Sequence, residues 1–444
     1  MKPIVGNKRW GIVLLLSLCY TVLYMDRSNM SMAGPSLMKH YNWSATEFGL
    51  ASTAFFIGYA ITQIPGGRLA DRFGGGKVVL TGALVWSVFV FITPFGSTMT
   101  LMIIIRALMG LGEGISLPAI HSILAKWIPK DKIGKATGFV QVGVPFGIAI
   151  TMPIATWIIQ KWGWEMVFHT FAFLGPVWCL IWWKFGKDKP ELHPKISKQE
   201  LDYIQANQGS VLEIGEEKLL TKKEILSNSS VWLCAISYFC ANYLFFLFMT
   251  WLPTYFVNGR GINLNHSAIY SMMPYLVAIF TYPIGGFLAD SAAKKFGHNM
   301  GRKLFPIIGL LVAGAFLILG SRATSVVAAV TLISASNGFL TLTMGSFFSM
   351  PMVFSQKNAG MITGVFTTLG TFAGILAPLI TGLIIDLSGK YDYALYVGGI
   401  VAMVGAILLL TVCKVKPIEN KLSNQGSHST LFKDPNEFGS TDII

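Results

Sequence analysis

The chain has 444 residues, 53% of them hydrophobic and only 12% charged, about half the charge of an ordinary soluble domain. Its mean hydropathy is +0.58, and its apolar residues come in runs of about 20, long enough to cross a hydrocarbon core of about 30 Å. This excludes a soluble enzyme, a disulfide-stapled secreted domain and a disordered tail, and leaves an all-α polytopic membrane protein.

Apolar stretches bounded by charge or Gly/Pro breaks predict twelve spans, at 10–33, 46–70, 77–95, 100–126, 134–158, 164–185, 230–257, 267–290, 304–320, 325–352, 358–386 and 391–413. The first is not a removable signal peptide, because it is long, carries Asp26 and Arg27 and lacks a small-residue cleavage site. The net charge of +13 orients the spans rather than pointing to nucleic acid. With the N-terminus inside, 26 Lys and Arg (Lys2 among them) fall on inner segments, and only Lys39, Lys161, Arg260, Arg322 and Lys390 on outer ones. Both termini are therefore expected in the cytoplasm. Cys19, Cys179, Cys234, Cys240 and Cys413 lie in or beside apolar runs without metal or redox spacing, and read as reduced packing residues.

One long charged loop, 186–229, divides the spans six and six, giving a first bundle (1–185), a central loop, a second bundle (230–413) and a tail (414–444). Within the loop, Ser197 followed by Glu200 reads as the start of a short interfacial helix. The halves repeat. Pro65-Gly66-Gly67-Arg68-Leu69-Ala70-Asp71 ends span 2, and Ile284-Gly285-Gly286-Phe287-Leu288-Ala289-Asp290 ends span 8. Gly134-x-x-Thr137-Gly138 opens span 5, and Gly360-x-x-Thr363-Gly364 opens span 11. Equivalent motifs in equivalent places imply two six-helix bundles related by an axis along the membrane normal, with a substrate site between them near midplane.

An ionisable side chain deep in a span is a functional candidate by default. Four qualify: Asp26 and Arg27 on span 1, Arg106 and Glu113 on span 4. At a rise of about 1.5 Å per residue, Arg27 sits roughly 25 Å from the inner boundary and Arg106 roughly 9 Å from the outer one, so the arginines share a depth. Glu113 lies two turns further along the same face, with Gly110, Gly112 and Gly114 around it. Arginine stays charged and grips a carboxylate bidentately; a glutamate held from water can be neutral in one state; and Asp26 can hold an arginine while the site is empty. That chemistry suits a proton-coupled anion carrier. The alternative is a static ion network locking spans 1 and 4. Tyr24, Tyr59, Asn242, Tyr243 and Asn337 can hydrogen-bond a ligand or serve as interhelical glue. His121 is a packing or interfacial residue or a proton relay, and Gln141 and Pro145 can line or bend the path. No nucleotide loop, metal-ligand spacing or nucleophile–base pair occurs.

These residues resemble a family. Gly67-Arg68-Leu69-Ala70-Asp71-Arg72-Phe73-Gly74-Gly75-Gly76-Lys77 looks like the signature loop of the major facilitator superfamily, with Gly76 where a basic residue is usual. Arg106-Ala107-Leu108-Met109-Gly110 resembles the span 4 signature of its proton-coupled members. Arg106-x-x-x-Gly110-x-x-Glu113-Gly114-x-x-x-Pro118-Ala119-x-His121, then Trp127-Ile128-Pro129, is similar to the anion:cation symporter family, which includes sialin, the vesicular glutamate transporters and bacterial sugar-acid importers. Tyr24-x-Asp26-Arg27-x-Asn29 looks like the bacterial branch, and Leu192-His193-Pro194 with Tyr203-Ile204 resembles the family's central loop. Where the galactonate carrier has glutamine on span 5 and asparagine on span 11, this chain has Val144 and Thr367, which argues against a galactonate-like contact set. Span 7 carries Ala241-Asn242-Tyr243 in place of the arginine of the glutamate carriers.

The resemblance implies proton-driven import of an organic monoanion by alternating access. Arg27 would hold the substrate carboxylate beside Tyr24 and Tyr59. Asp26 and Glu113 would carry protons, Arg106 would trade between Asp26 and substrate, and Asp71 with Arg72 would belong to the inner gate. It implies a monomer in a bacterial inner membrane, using no cofactor besides protons. A second expectation is transport of inorganic phosphate or a phosphate ester, sodium-coupled. A third is an anion sensor without transport, disfavoured because the 44-residue loop and short tail are too small for a signalling domain.

Overall fold

The computed structural model describes residues 7–129, 132–208, 220–411 and 413–418, which are helical with no strand among them. Eleven helices are long and apolar enough to cross a membrane: Lys8–Tyr41, Ala45–Phe73, Gly75–Phe95, Met99–Trp127, Ile133–Trp162, Glu165–Phe185, Ser229–Gly259, Leu264–Arg322, Val326–Phe354, Ala359–Ser388 and Tyr391–Thr411. The eighth holds two spans. Gly297 leaves the helical region at φ 75°, ψ 165°, and Gly301 comes back against Ala292 and Ala293. A continuous helix would carry residues eight or nine apart more than 10 Å along its axis. The chain therefore reverses there, Arg302 pairs with Asp290 at 2.7 Å, and 264–296 and 298–322 are spans 8 and 9 of twelve.

Span 1 runs eight residues past its expected end, through Pro35, and closes at Asn42 in the left-handed region (φ 53°). Proline is tolerated inside a membrane span because neighbouring helices satisfy the backbone groups it frees. A capping box, Ser44 with Glu47, then restarts the chain as span 2. Three spans are interrupted for a single residue, at Ile115, Val142 and Thr343.

Close pairings in the first half recur six spans later. Spans 2 and 4 touch backbone to backbone where Gly110 meets the Phe55 carbonyl, and spans 8 and 10 do so where Gly285 meets that of Leu342. Span 1 packs on span 5, and span 7 on span 11. Across the halves, span 2 lies along span 11 and span 5 along span 8.

The central loop is folded against the first half. Ser197 accepts the Glu200 amide at 3.2 Å, as its spacing predicts, and starts Lys198–Gln208. Glu200 then reaches out of its own helix. Fully buried, it accepts the backbone N–H groups of Lys8 and Arg9 at 3.1 Å each and the Arg9 guanidinium at 3.3 Å, capping the start of span 1. Residues 413–418 lie over the second half, with Val415 donating to Asn299 at 2.9 Å and Ile418 to the Phe354 carbonyl at 3.0 Å. Lys2 and the remainder of the tail lie outside the described residues.

Candidate functional site

A cavity of about 350 Å³ lies between the halves, within the usual size range of small-ligand sites. It runs from Arg27 and Glu113 to Ile133 and Met352, toward the end that carries the central loop. The interruptions at Ile115, Val142 and Thr343 each fall within two residues of a lining side chain: Glu113, Val144 and Met344.

Arg27 and Glu113 form the charged wall. Both side chains are buried, and Arg27 Nε donates to Glu113 Oε2 at 2.6 Å. The guanidinium carbon stands 4.7 Å from the ring centres of both Tyr24 and Tyr59, a cation–π setting that holds the charge without neutralising it. Glu113 takes one of five guanidinium donors, and Glu113 Oε1 is buried without a partner. The pair is thus a single contact between groups that each retain unused capacity.

The other two deep charges lie elsewhere. Asp26 follows Tyr24 and precedes Arg27 on one helix, so successive side chains diverge by about 100°. It faces span 3, where Trp86 donates its indole N–H to Oδ2 at 3.0 Å, and Oδ1 has no partner. The expected Asp26–arginine pair is not formed: the ion pair within this quartet is Arg27–Glu113. Arg106 shares the depth expected of it, since both arginines lie against the Phe55 ring at 5.1 and 5.3 Å. Yet Arg106 does not line the large cavity. It stands behind Phe55 beside a void of only about 10 Å³, its Nη1 against Met109 Sδ at 3.0 Å. In this conformation Arg106, expected to contact substrate, stands off the lining of the large cavity.

Tyr24, Tyr59 and Asn242 line the cavity as expected, but Tyr243 and Asn337 do not. Tyr243 is one residue from Asn242 and turned into the helix packing beside Phe239. Asn337 donates to the Pro274 carbonyl at 2.9 Å, tying span 10 to span 8. Both are interhelical residues. His121, Gln141, Val144 and Thr367 all line the cavity, whereas Pro145 is buried away from it. Asp71 and Arg72 are exposed at the end of span 2, outside the cavity.

Tyr20, Gln63, Tyr238 and Tyr282 also line it and were not singled out from sequence. Three of them were findable by helical spacing: Tyr20 is one turn from Tyr24, Gln63 one turn from Tyr59, and Tyr238 one turn from Asn242. Tyr282 has no such seed, because nothing else on span 8 reaches the cavity.

The family described as Major Facilitator Superfamily matches residues 16–378. The sodium-dependent phosphate transport protein 1 of Arabidopsis thaliana chloroplasts is 31% identical over 90% of this chain and 78% of its own length. The hexuronate transporter of Bacillus subtilis strain 168 is 30% identical over 92% of this chain and 95% of its own. Among solved structures, a bacterial homologue of the human lysosomal transporter Spinster, inward-facing and occupied, superposes with a TM-score of 0.69 at 17% identity, covering 91% of this chain and 95% of that one. At that identity the likeness is one of fold.

Proposed function

This chain belongs to the Major Facilitator Superfamily, as a multi-pass membrane transporter and not an enzyme, and we propose that it is a proton-coupled symporter of an organic monoanion. The observation that carries this reading is the buried Arg27–Glu113 pair on the cavity wall. Removing one member of a buried pair costs about 3–5 kcal/mol, because the other charge is left unpaired. A carboxylate arriving alone at Arg27 strands Glu113, and a proton arriving alone at Glu113 strands Arg27. Only both together leave every charge compensated: the substrate carboxylate takes Arg27, and the proton neutralises Glu113. Coupling then follows from electrostatics at one ion pair.

In this scheme the described conformation has the Arg27–Glu113 pair closed and the cavity open on the side of the central loop. That side is the cytoplasm by the distribution of Lys and Arg, in a bacterial inner membrane. The carrier works as a monomer. Asp26, buried with one oxygen unpartnered, is the second proton carrier, with Arg106 its nearest cation once span 4 shifts. Asp71 and Arg72 form the inner gate when the cavity closes.

The test is uptake into proteoliposomes under an imposed inward proton gradient, across sugar acids, aromatic acids, small dicarboxylates and phosphate. Concentrative uptake of one organic anion, abolished by a protonophore, is expected. In Glu113→Gln, gradient-driven uptake is lost while exchange of labelled substrate persists; full concentrative uptake by this variant would remove the coupling role. The phosphate relative, at 31% identity, supports a second reading, sodium-coupled phosphate transport. Uptake that follows Na⁺ and ignores the proton gradient would select it.

A further inference from the structure

Resting on the reading of an organic monoanion, we infer the class of that anion: a monocarboxylate carrying a flat, unsaturated ring, rather than a polyhydroxylated sugar acid. Of 26 residues lining the cavity, nine are Phe or Tyr, against 13% aromatic in the whole chain. They come from both halves. Tyr20, Tyr24, Phe56 and Tyr59 face Tyr238, Phe245, Phe246, Tyr282 and Phe348. The two sets already meet across the interface, Phe56 with Phe246 at 4.6 Å and Tyr24 with Phe245 at 6.4 Å, both edge to face. A planar ring entering between them exchanges one aromatic contact for several, in the offset and edge geometries that such rings prefer.

The charge inventory agrees. Among the described residues, Arg27 is the one Lys or Arg lining the cavity, and Glu113 the one carboxylate. After one proton the site carries a single positive charge, which compensates a monoanion and leaves the second charge of a dianion unpaired.

Part of the set that could recognise hydroxyls is already engaged, while the Tyr20 hydroxyl is buried without a partner. Thr371 donates to the Thr367 carbonyl at 2.9 Å and lies 3.2 Å from Gln63 Oε1. Thr367 donates to the Gly364 carbonyl at 3.2 Å, and the Asn242 amide to that of Tyr238 at 2.8 Å. Val144 adds an apolar surface. A sugar acid has several more hydroxyls to desolvate than a ring acid and needs that many more partners to offset the cost. A ring with a carboxylate loses little.

The experiment is ligand titration of the purified full-length protein in detergent, by calorimetry and thermal shift. The probes are benzoate, phenylacetate and phenylpyruvate against gluconate, glucuronate, lactate and inorganic phosphate. At least one ring acid is expected to bind tenfold or more tighter than gluconate or glucuronate. Phe246→Leu, which keeps the bulk and removes the ring, should weaken that acid by roughly 2- to 10-fold more than it weakens lactate. Gluconate or glucuronate binding as tightly as every ring acid overturns the inference and leaves organic-anion symport standing. Phosphate binding with no carboxylate binding overturns both. If Phe246→Leu unfolds, Tyr282→Leu serves as the second variant, read the same way.

Discussion

The two ends of the interface between the halves are built differently. At the end away from the central loop, backbones touch: Gly49 of span 2 meets the Pro378 carbonyl of span 11, and Gly382 meets the Ala45 carbonyl in return. Thr53 donates to the Ile375 carbonyl at 2.7 Å, and Ser31 to the Thr250 carbonyl at 3.0 Å. At the other end the repeated motifs Gly134-x-x-Thr137-Gly138 and Gly360-x-x-Thr363-Gly364 flank the cavity, and none of their four glycines has a neighbour within 4 Å of where a Cβ would stand. Small residues pack tightly where the interface is shut and stand apart where it is open. The shut end is thus fastened by small residues on facing helices, and the four glycines of the repeated motifs at the open end make no such contact.

Gly49→Leu should have the largest effect. Its side chain collides with backbone rather than with a movable side chain, so the shut end must separate, and overpacking of this kind costs about 1–3 kcal/mol or more. The expected result is labelling of a cysteine placed at Ser31 from the far side of the membrane, with uptake lost. Retained uptake and an unlabelled Ser31→Cys would mean that this contact does not hold the end closed.

Gly364→Leu sharpens the comparison by doing the opposite. The position is open here, and leucine favours a helix over glycine by about 0.8 kcal/mol, so thermal stability should hold or rise. Transport should nevertheless fall roughly tenfold, because the bulk meets span 2 or its neighbours when the cavity closes. Normal transport would show that the repeated glycines do not meet in the turnover cycle.

Most of this was readable from sequence because it depends on local pattern. Twelve apolar runs, the buried quartet and the repeated motifs need only residue identity and spacing. Partner choice was not readable. That Glu113 takes Arg27 while Asp26 takes Trp86 depends on which neighbour each helix face meets, and a rotation of about 100° separates Asn242 in the cavity from Tyr243 outside it. Gly76 has a similar lesson. Its departure from the signature loop follows from the central loop, where Asp188 accepts the Gly76 N–H at 2.7 Å and Lys126 at 3.4 Å. Trp182 and Asp188 stand within 3.5 Å of where a Cβ at position 76 would be. A basic side chain would need that space, and no local window reveals that residue 188 fills it.

The smallest expected effect tests whether the shut end is held by polarity as well as by fit. Asp386, near the end of span 11, accepts the first amides of span 2, Ala45 at 2.9 Å and Thr46 at 2.8 Å. These amides have no partner within their own helix, and the carboxylate lies at the positive end of the helix dipole. A cap of this kind contributes about 1 kcal/mol, and here it joins the two halves rather than two turns of one helix. Asp386→Ala should therefore leave the fold intact and shift the balance between conformations roughly fivefold toward separation at that end. Spin labels at the exposed Asn42 and Lys390 would read it as a larger population at long distance, and in the wild type alone that population should grow further as acid protonates the carboxylate. An unchanged distance distribution would show that the cap adds nothing to the fastening, leaving it to the close glycine contacts and the Thr53 and Ser31 hydrogen bonds.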